Sequence, residues 1–315
     1  MKPLVSIVIP TFNREKYIEE CILSALNQSY ENSEVIVIDN NSTDSSHKII
    51  NRLRESFTFQ YIRNEENIGP VNNWVAGIEK AKGYYVKILF SDDVLLPNAV
   101  FDLVEAMNNS KLKVGFVYGT ILTGTTIEKA YRNYGRKRRI FDQKKYLSLL
   151  MSNSVPVSPG AVLIKKADIY ESLTNQSGFI TNNEYKKHGA GIDIYSLFYA
   201  LRNGKVAIQI PEEIVFFRSH SESFTIRNDH NKVGRAYSEI IGKLVEMNLS
   251  ANKAIILLCV HWIKFRLKKK EALSLTEFLA VFDKQISFTL KTWSLIAACT
   301  ILLKNGVLRL LRVQS

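Results

Sequence analysis

Apolar residues along the first 120 positions switch between two spacings. Leu4-Val-Ser-Ile-Val-Ile9 is a largely β-branched run that stops at Pro10, and Tyr17, Ile18, Cys21, Ile22, Ala25 and Leu26 then recur at helical spacing. A strand followed by an amphipathic helix is predicted. The pattern repeats: Val35 to Ile38 reads as a buried strand, Ser42-Thr43-Asp44 offers helix caps, and Ile49, Ile50 and Leu53 carry a second helix. Phe57 to Ile62 predicts a third strand, Val71 to Lys80 a third helix, and Tyr85 to Phe90 a fourth strand ending in Ser91-Asp92-Asp93. A helix from Pro97 to Met107 and a fifth strand from Val114 to Tyr118 complete the series. Alternation at this pitch specifies an α/β fold, with a mostly parallel central sheet covered by helices.

Periodicity weakens from Thr120 to Gly189, a stretch holding the basic run Arg136-Lys-Arg-Arg139 and the turn-rich Pro156-Val-Ser-Pro-Gly160. Regular structure returns as a helix from Ile192 to Leu201, closed by Asn203-Gly204, and a strand ending near Pro211. After about Ser223 the chain turns to long helical patterns rich in Lys and Leu. The expected organisation is a main domain over 1–225, with halves 1–120 and 121–225, and a helical basic region over 226–315.

Charge sharpens that boundary. The whole chain carries a net +12, whereas from Ala251 onward 11 basic residues face 3 acidic ones, leaving +8 in the tail and +4 in the first 250 residues. This asymmetry fits a body with a basic appendage facing an anionic membrane surface, not a nucleic-acid binder. Apolar content of 46% excludes disorder as the main state. Cys21, Cys259 and Cys299 form neither a C-x-x-C pair nor a disulfide framework, so they are expected as small core residues in a reducing compartment. The run from Leu4 to Pro10 is too short for a signal sequence. The apolar segments Ala254–Ile263 and Trp293–Leu303 fall short of the ~18 to 20 residues that span a bilayer. A cytoplasmic protein is expected, peripheral on the inner face of the plasma membrane.

Ligands of open parallel sheets bind outside the carboxyl ends of the strands. Three polar signals fall there: Thr11-Phe12-Asn13, Asp39-Asn40-Asn41-Ser42 and Ser91-Asp92-Asp93. Adjacent carboxylates repel each other unless a cation or donor groups compensate them, and Mg²⁺ or Mn²⁺ takes one or two carboxylates plus phosphate oxygens. Asp39 could accept hydrogen bonds from a nucleotide. Read singly, Asp92-Asp93 fits a helix cap equally well, and Asp39 a solvated turn acid.

Taken together, Val5-Ser-Ile-Val-Ile-Pro-Thr-Phe-Asn13, Ser24-Ala-Leu-Asn-Gln-Ser-Tyr30, Glu34-Val-Ile-Val-Ile-Asp-Asn-Asn-Ser-Thr-Asp44, Asn67-Ile-Gly69 and Phe90-Ser-Asp-Asp-Val94 resemble family 2 glycosyltransferases, in the same order. The resemblance is specific through about residue 120 and weaker through Phe224. It implies a GT-A fold, a nucleoside diphosphate sugar donor, UDP-linked by expectation, a divalent metal, and inversion at the anomeric carbon. The implied activity is a hexosyltransferase-like transfer to a glycan or lipid-linked acceptor in bacterial surface-polysaccharide synthesis. Carried onto this chain, the resemblance makes Asp39 the nucleoside contact and has Thr11 and Asn13 line the donor site. Asp92 and Asp93 become the short D-x-D element, with Asp93 the preferred metal ligand. Ser91 stands where the commoner pattern has its first Asp. The Arg218-Ser-His220 pair lies, in relatives, near the metal or diphosphate, so Arg218 is assigned to phosphate and His220 to metal or diphosphate. Gly191-Ile-Asp193 occupies the place of the base, with Glu184 second, and Ser158-Pro-Gly160 that of a loop flanking sugar and acceptor. Asp193 read alone is a helix N-terminal acid.

Rival readings are weaker on specific residues. A GT-A-like nucleotidyltransferase would need a Gly-rich basic loop for a triphosphate, and an NAD enzyme G-x-G-x-x-G where Pro10-Thr-Phe-Asn13 stands. A non-catalytic basic membrane-binding module leaves the acidic strand ends unexplained. Lys291, Lys304, Arg309 and Arg312 share one helical sector, which suits either an interfacial helix or the solvated face of a packed subdomain.

Overall fold

A strand buried on both faces shows no polar alternation, and the apolar runs of the N-terminal half form such strands. The computed structural model describes residues 2–134, 137–151, 154–175 and 189–221, with positions 236–237, 240–244, 247, 256, 259–260, 263 and 294–300. The strands β1 (Val5–Thr11), β2 (Ser33–Asp39), β3 (Gln60–Arg63) and β4 (Tyr85–Ile88) alternate with the helices α1 (Ile18–Leu26), α2 (Ser46–Ser56) and α3 (Pro70–Lys80). All seven residues of β1 are buried. The predicted third strand starts three residues late, at Gln60, because α2 runs on to Ser56 and Phe57–Phe59 link the two.

The remaining described strands are β5 (Val94–Leu95), β6 (Val114–Gly124), β7 (Tyr131–Asn133), β8 (Arg139–Phe141), β9 (Val162–Lys165) and β10 (Val206–Arg218). They join one sheet in the order β3-β2-β1-β4-β9-β6-β10-β5, with β7 on β6 and β8 on β10. Parallel pairing joins β3, β2, β1 and β4, and also β6 and β10, while β9 runs antiparallel between β4 and β6. Six strands of the main path therefore point one way, and β9 and β5 oppose them. Helices α4 (Ala99–Asn108), α5 (Gln143–Met151), α6 (Lys166–Thr174) and α7 (Ile192–Ala200) complete the described body.

Two expectations need correction. The last strand does not stop at Pro211 but runs to Arg218, because the missing N–H falls at a register shift between Gln209 and Glu213 and Thr120 donates its hydroxyl to the Pro211 carbonyl at 3.0 Å. Cys299 is exposed, although Cys21 and Cys259 are buried as expected. Among the described tail positions, Ala236, Ile240, Ile241 and Leu244 join the main core, while Cys259, Val260 and Ala298 form a separate apolar cluster. No helix among the described residues is long and apolar enough to cross a membrane. Most of the basic segment from Lys291 to Arg312, for which an interfacial or packed helix is expected, and Glu184 lie outside the described residues.

Helix α3 lies directly on β1 and β2. A Cβ at Gly77 would fall 2.6 Å from Val8 Cγ1 and 2.9 Å from Ile38 Cγ2, both on buried strand residues that cannot retreat. Gly77→Ala is therefore expected to lower the thermal unfolding midpoint, with a cost of roughly 1–3 kcal/mol from overpacking. An unchanged midpoint would mean that the helix lifts freely from the sheet.

Candidate active site

Register places the polar strand ends side by side. Thr11 faces Asp39 across the β1–β2 ladder, and the Leu89 N–H donates to the Val8 carbonyl at 2.9 Å, so the chain leaving β4 emerges beside β1. Asn13, at φ 53°, turns the chain out of β1 in the left-handed region that Asn tolerates. Its N–H donates to Ser42 Oγ at 3.0 Å and its Oδ1 accepts from the Thr43 N–H at 2.8 Å, which locks the loops after β1 and β2 together.

Asp39 is fully buried and is not a solvated turn acid. Oδ1 accepts from the Ser42 N–H at 2.9 Å and the Ser42 hydroxyl at 2.5 Å, and Oδ2 accepts from the Tyr61 hydroxyl at 2.9 Å with Arg63 Nε at 3.7 Å. Burial, then the charge and hydrogen bond of Asp39, raise the Tyr61 phenol above its usual range, so it stays a donor. Asp39 thus has a fixed orientation, with both acceptor sites of Oδ1 occupied and one left on Oδ2. The Thr11 hydroxyl oxygen is buried at the same edge and has no hydrogen-bond partner among the described residues.

The acidic turn is not a helix cap. Helix α4 begins at Ala99 behind Asn98, after β5 has intervened. The β5–β10 ladder pairs Phe216 with Val94, which brings the residue after Phe217 opposite Asp92. Asp93 Oδ1 accepts from the Arg218 N–H at 3.1 Å, and the Asp92 carbonyl accepts from Arg218 Nε at 3.1 Å. His220 Nε2 lies 3.1 Å from Asp92 Oδ2, its ring 4.5 Å from that of Tyr17. Arg218 also reaches Glu20 at 2.5 Å and covers the Tyr17 ring. Asp92, Asp93, Arg218 and His220, chosen from two distant stretches of sequence, therefore form one cluster. Burial first, and the neighbouring Asp92 charge second, push the Asp93 carboxyl well above the usual carboxylate range, against the Arg218 N–H and the Lys87 and Arg218 charges.

Sequence reasoning missed Lys87. Its ammonium is fully buried in β4 and donates to the Ile88 carbonyl at 2.9 Å and, by a short contact, to the Gly160 carbonyl. Burial pushes it down to about 7, with Asp93 and then Cys21 opposing. The one signal available was a lysine inside the apolar run Tyr85-Val-Lys-Ile88. Gly160 sits in a helical turn, Pro159–Ala161, capped by Ser158 Oγ, and a Cβ there would meet the Phe90 ring at 2.8 Å. Strand end, acidic turn and the 158–161 loop are thereby one unit.

Asp193 stands apart from the acidic cluster. It lies in the first turn of α7, buried, with Oδ1 accepting from the Ile194 N–H at 2.7 Å and Oδ2 from the Tyr237 hydroxyl at 2.8 Å. Burial pushes it up to about 7 against those hydrogen bonds, Tyr237 the largest. Two contacts connect it to the cluster: α7 packs on the 159–161 turn, and Gly189, at φ 74°, abuts Trp74, whose ring lies 5.6 Å from Phe90.

A divalent ion fits these residues at a low protein ligand count. No three His, Cys, Asp or Glu side chains converge on a metal position among the described residues, but Mg²⁺ or Mn²⁺ shared with phosphate oxygens needs only one or two carboxylates. The adjacent, mutually repelling carboxylates of buried Asp93 and partly exposed Asp92 are such a donor set.

Similarity to known proteins bears on the family and the fold. The sequence model described as Glycosyl transferase family 2 matches residues 6–170. An uncharacterized glycosyltransferase of Haemophilus influenzae is 44% identical over 94 residues, 30% of this chain and 38% of that protein. Abequosyltransferase RfbV of Salmonella typhimurium is 39% identical over 101 residues, 31% of this chain and 30% of its own length. The matched stretch thus spans less than two fifths of either relative. In three dimensions, S. aureus TarS 1–349 in complex with UDP-GlcNAc superposes with a TM-score of 0.65 at 16% identity, over 94% of this chain and 79% of that one. At that identity the likeness is one of fold, and the fold is of the GT-A type.

Lys87→Met would leave two buried carbonyls without their donor. The expected loss is about 1–3 kcal/mol for each unsatisfied group, offset in part by removing a buried charge, and measurable as a lower urea midpoint. A midpoint at or above that of the parent would show that the ammonium does not tie the 158–161 turn to β4.

Proposed function

The chain belongs to glycosyl transferase family 2, and on that premise we propose that it moves a sugar from a nucleoside diphosphate sugar, UDP-linked, to a hydroxyl of a glycan or lipid-linked acceptor, with inversion, in surface-polysaccharide synthesis. The observation that carries this reading is the contact of Asp92 and Asp93 with Arg218 and His220, at the sheet edge that also holds buried Asp39 and Thr11. A phosphate-bearing ligand laid along that edge would meet a nucleoside acceptor at one end and a metal-binding acidic turn at the other. RfbV is named for sugar transfer and one TarS structure held UDP-GlcNAc, which support the reaction class and the donor class proposed here.

In this reading Asp39 accepts an N–H of the base, and the Thr11 hydroxyl and the Asn13 loop line the ribose and phosphates. Asp93 and Asp92 would hold Mg²⁺ or Mn²⁺, which when bound would supply positive charge to the diphosphate, and His220 beside Asp92 would face the metal or the diphosphate. Arg218 adds a fixed guanidinium beside it. The acceptor oxygen attacks the anomeric carbon as the bond to the diphosphate oxygen breaks, and Asp193 takes the hydroxyl proton. A carboxyl near 7 is matched to that task, since it is ionised in a large fraction yet basic enough to accept the proton. Tyr237 and the Ile194 N–H fix its orientation. No covalent sugar–enzyme intermediate is required. A cytoplasmic site facing an anionic membrane belongs to the same proposal.

UDP-sugars with Mn²⁺ or Mg²⁺ are expected to raise the melting temperature, by the equivalent of ~2.7 kcal/mol at a hundred times Kd. No shift with any UDP- or GDP-sugar would remove the main support for donor binding. Asp193→Asn should keep donor binding and lose roughly 10²–10⁴-fold in turnover. Because the base must be ionised, turnover should rise with pH through about 7. Tyr237→Phe deletes a hydrogen bond that holds that value down, so the acidic limb should move to higher pH. A limb that stays in place would separate Tyr237 from the reacting group.

A further inference from the structure

Arg14 is absent from the donor-site assignments above, yet it bridges two of the three polar strand ends. Its backbone N–H donates to Ser46 Oγ at 2.8 Å, so the residue is fixed against α2. Its Nη1 donates to the Asn13 carbonyl at 3.0 Å and the Phe12 carbonyl at 3.3 Å, which aims the guanidinium along the loop after β1. Its Nε lies 3.5 Å from Asp92 Oδ2, the same oxygen that His220 Nε2 approaches at 3.1 Å, and the Arg14 and Asp92 side chains are only 18% and 16% exposed.

That pairing is in conflict with a divalent ion on Asp92. An imidazole can pass from the carboxylate to the metal as a ligand, but a guanidinium has no lone pair to offer and does not lose its proton in proteins. When a cation arrives, Arg14 must release Asp92. The ligand that brings the cation also brings anionic oxygens, and a planar fork of N–H donors matches a diphosphate better than a single carboxylate oxygen.

Resting on the donor reading above, we propose that Arg14 is a diphosphate-binding residue that exchanges partners: it neutralises Asp92 in the free protein and passes to the phosphate oxygens when a nucleoside diphosphate and its metal bind. The two anchoring carbonyls hold the guanidinium in the loop during the exchange, so a small side-chain rotation suffices. Arg14 then opposes metal alone and favours metal together with nucleotide, which couples the two ligands.

Isothermal titration of the full chain tests this with two probes, Mn²⁺ alone and UDP at saturating Mn²⁺, on the parent, Arg14→Gln and Arg14→Lys, with melting curves confirming folding. For Arg14→Gln, Mn²⁺ alone should bind more tightly, by roughly fivefold or more on the scale of ordinary site coupling. UDP should bind more weakly, by about tenfold or more, the range for losing a hydrogen bond to a charged group. Arg14→Lys, which keeps the charge and loses the fork, should leave Mn²⁺ near the parent value and weaken UDP less. Opposite signs in Arg14→Gln are the signature, because structural damage loosens both ligands. A variant that loosens both, or alters neither, overturns the exchange. If the parent itself binds neither probe, the donor reading fails instead.

Discussion

The hydrogen bond from the Arg218 N–H to Asp93 Oδ1 joins residues 125 positions apart, and the rest of the site depends on it. It exists because β5, only two residues long, pairs antiparallel with the end of β10. β10 in turn is held in place by a long parallel ladder with β6. Nothing in the acidic turn itself would keep two adjacent carboxylates in one orientation. The donor comes from the far side of the sheet, and with it come Arg218 Nε on the Asp92 carbonyl and His220 on the Asp92 carboxylate. Continuation of β10 past Pro211 is therefore a requirement of the site, and the bulges around Glu213 are how the chain meets it.

Burial does the electrostatic work at this edge. Lys87, Asp93 and Cys21 are all fully enclosed, and desolvation is the largest influence on each. Each is pushed toward its neutral form, Asp93 and Cys21 upward and Lys87 downward. The Coulomb attraction between Lys87 and Asp93 opposes this for both, without cancelling it. Burying charge costs stability and is retained where it serves a task. In the proposed reading, it is the divalent cation that would relieve the repulsion between Asp92 and Asp93. Asp193 follows the same rule at a separate place: desolvation raises it, and Tyr237 and the backbone restrain it.

The N-terminal half was legible because its signals are local. Apolar runs such as Val35–Ile38 and helical spacings such as Ile18, Cys21, Ile22 and Ala25 each specify an element within a few residues, and βα alternation specifies where the strand ends gather. Thr11, Asn13, Asp39 and the acidic turn fall at those ends and were found there. The stretch after Thr120 was illegible for the opposite reason. β7 and β8 have three residues each, β9 has four, and α5, Gln-Lys-Lys-Tyr-Leu-Ser-Leu-Leu-Met, carries few turns of apolar spacing. Runs that short fit several states, and their pairing with β6, β4 and β10 decides among them. Lys87 was hidden by the same logic that revealed its strand, since a strand buried on both faces has no solvent side on which a lysine could be read as ordinary.

β9 shows why the two halves differ in kind. By entering antiparallel between β4 and β6, it separates the four parallel strands of the N-terminal half from the β6–β10 pair, and the turn just before it places the Gly160 carbonyl against Lys87. The strands and turns after Thr120 are thus attached to the N-terminal half by contacts of high sequence separation: Gly160 to Lys87 and Phe90, Gly189 to Trp74, and Arg218 to Asp92 and Asp93. A local sequence pattern can announce a polar strand edge, because strand and loop supply it together. The position of Asp193 relative to that edge is a sum of long-range pairings. Asp193 could be nominated from its place before a helix, but its environment, a hydroxyl from Tyr237 and a buried helix start behind Gly191, is written in residues that only the folded chain brings to it.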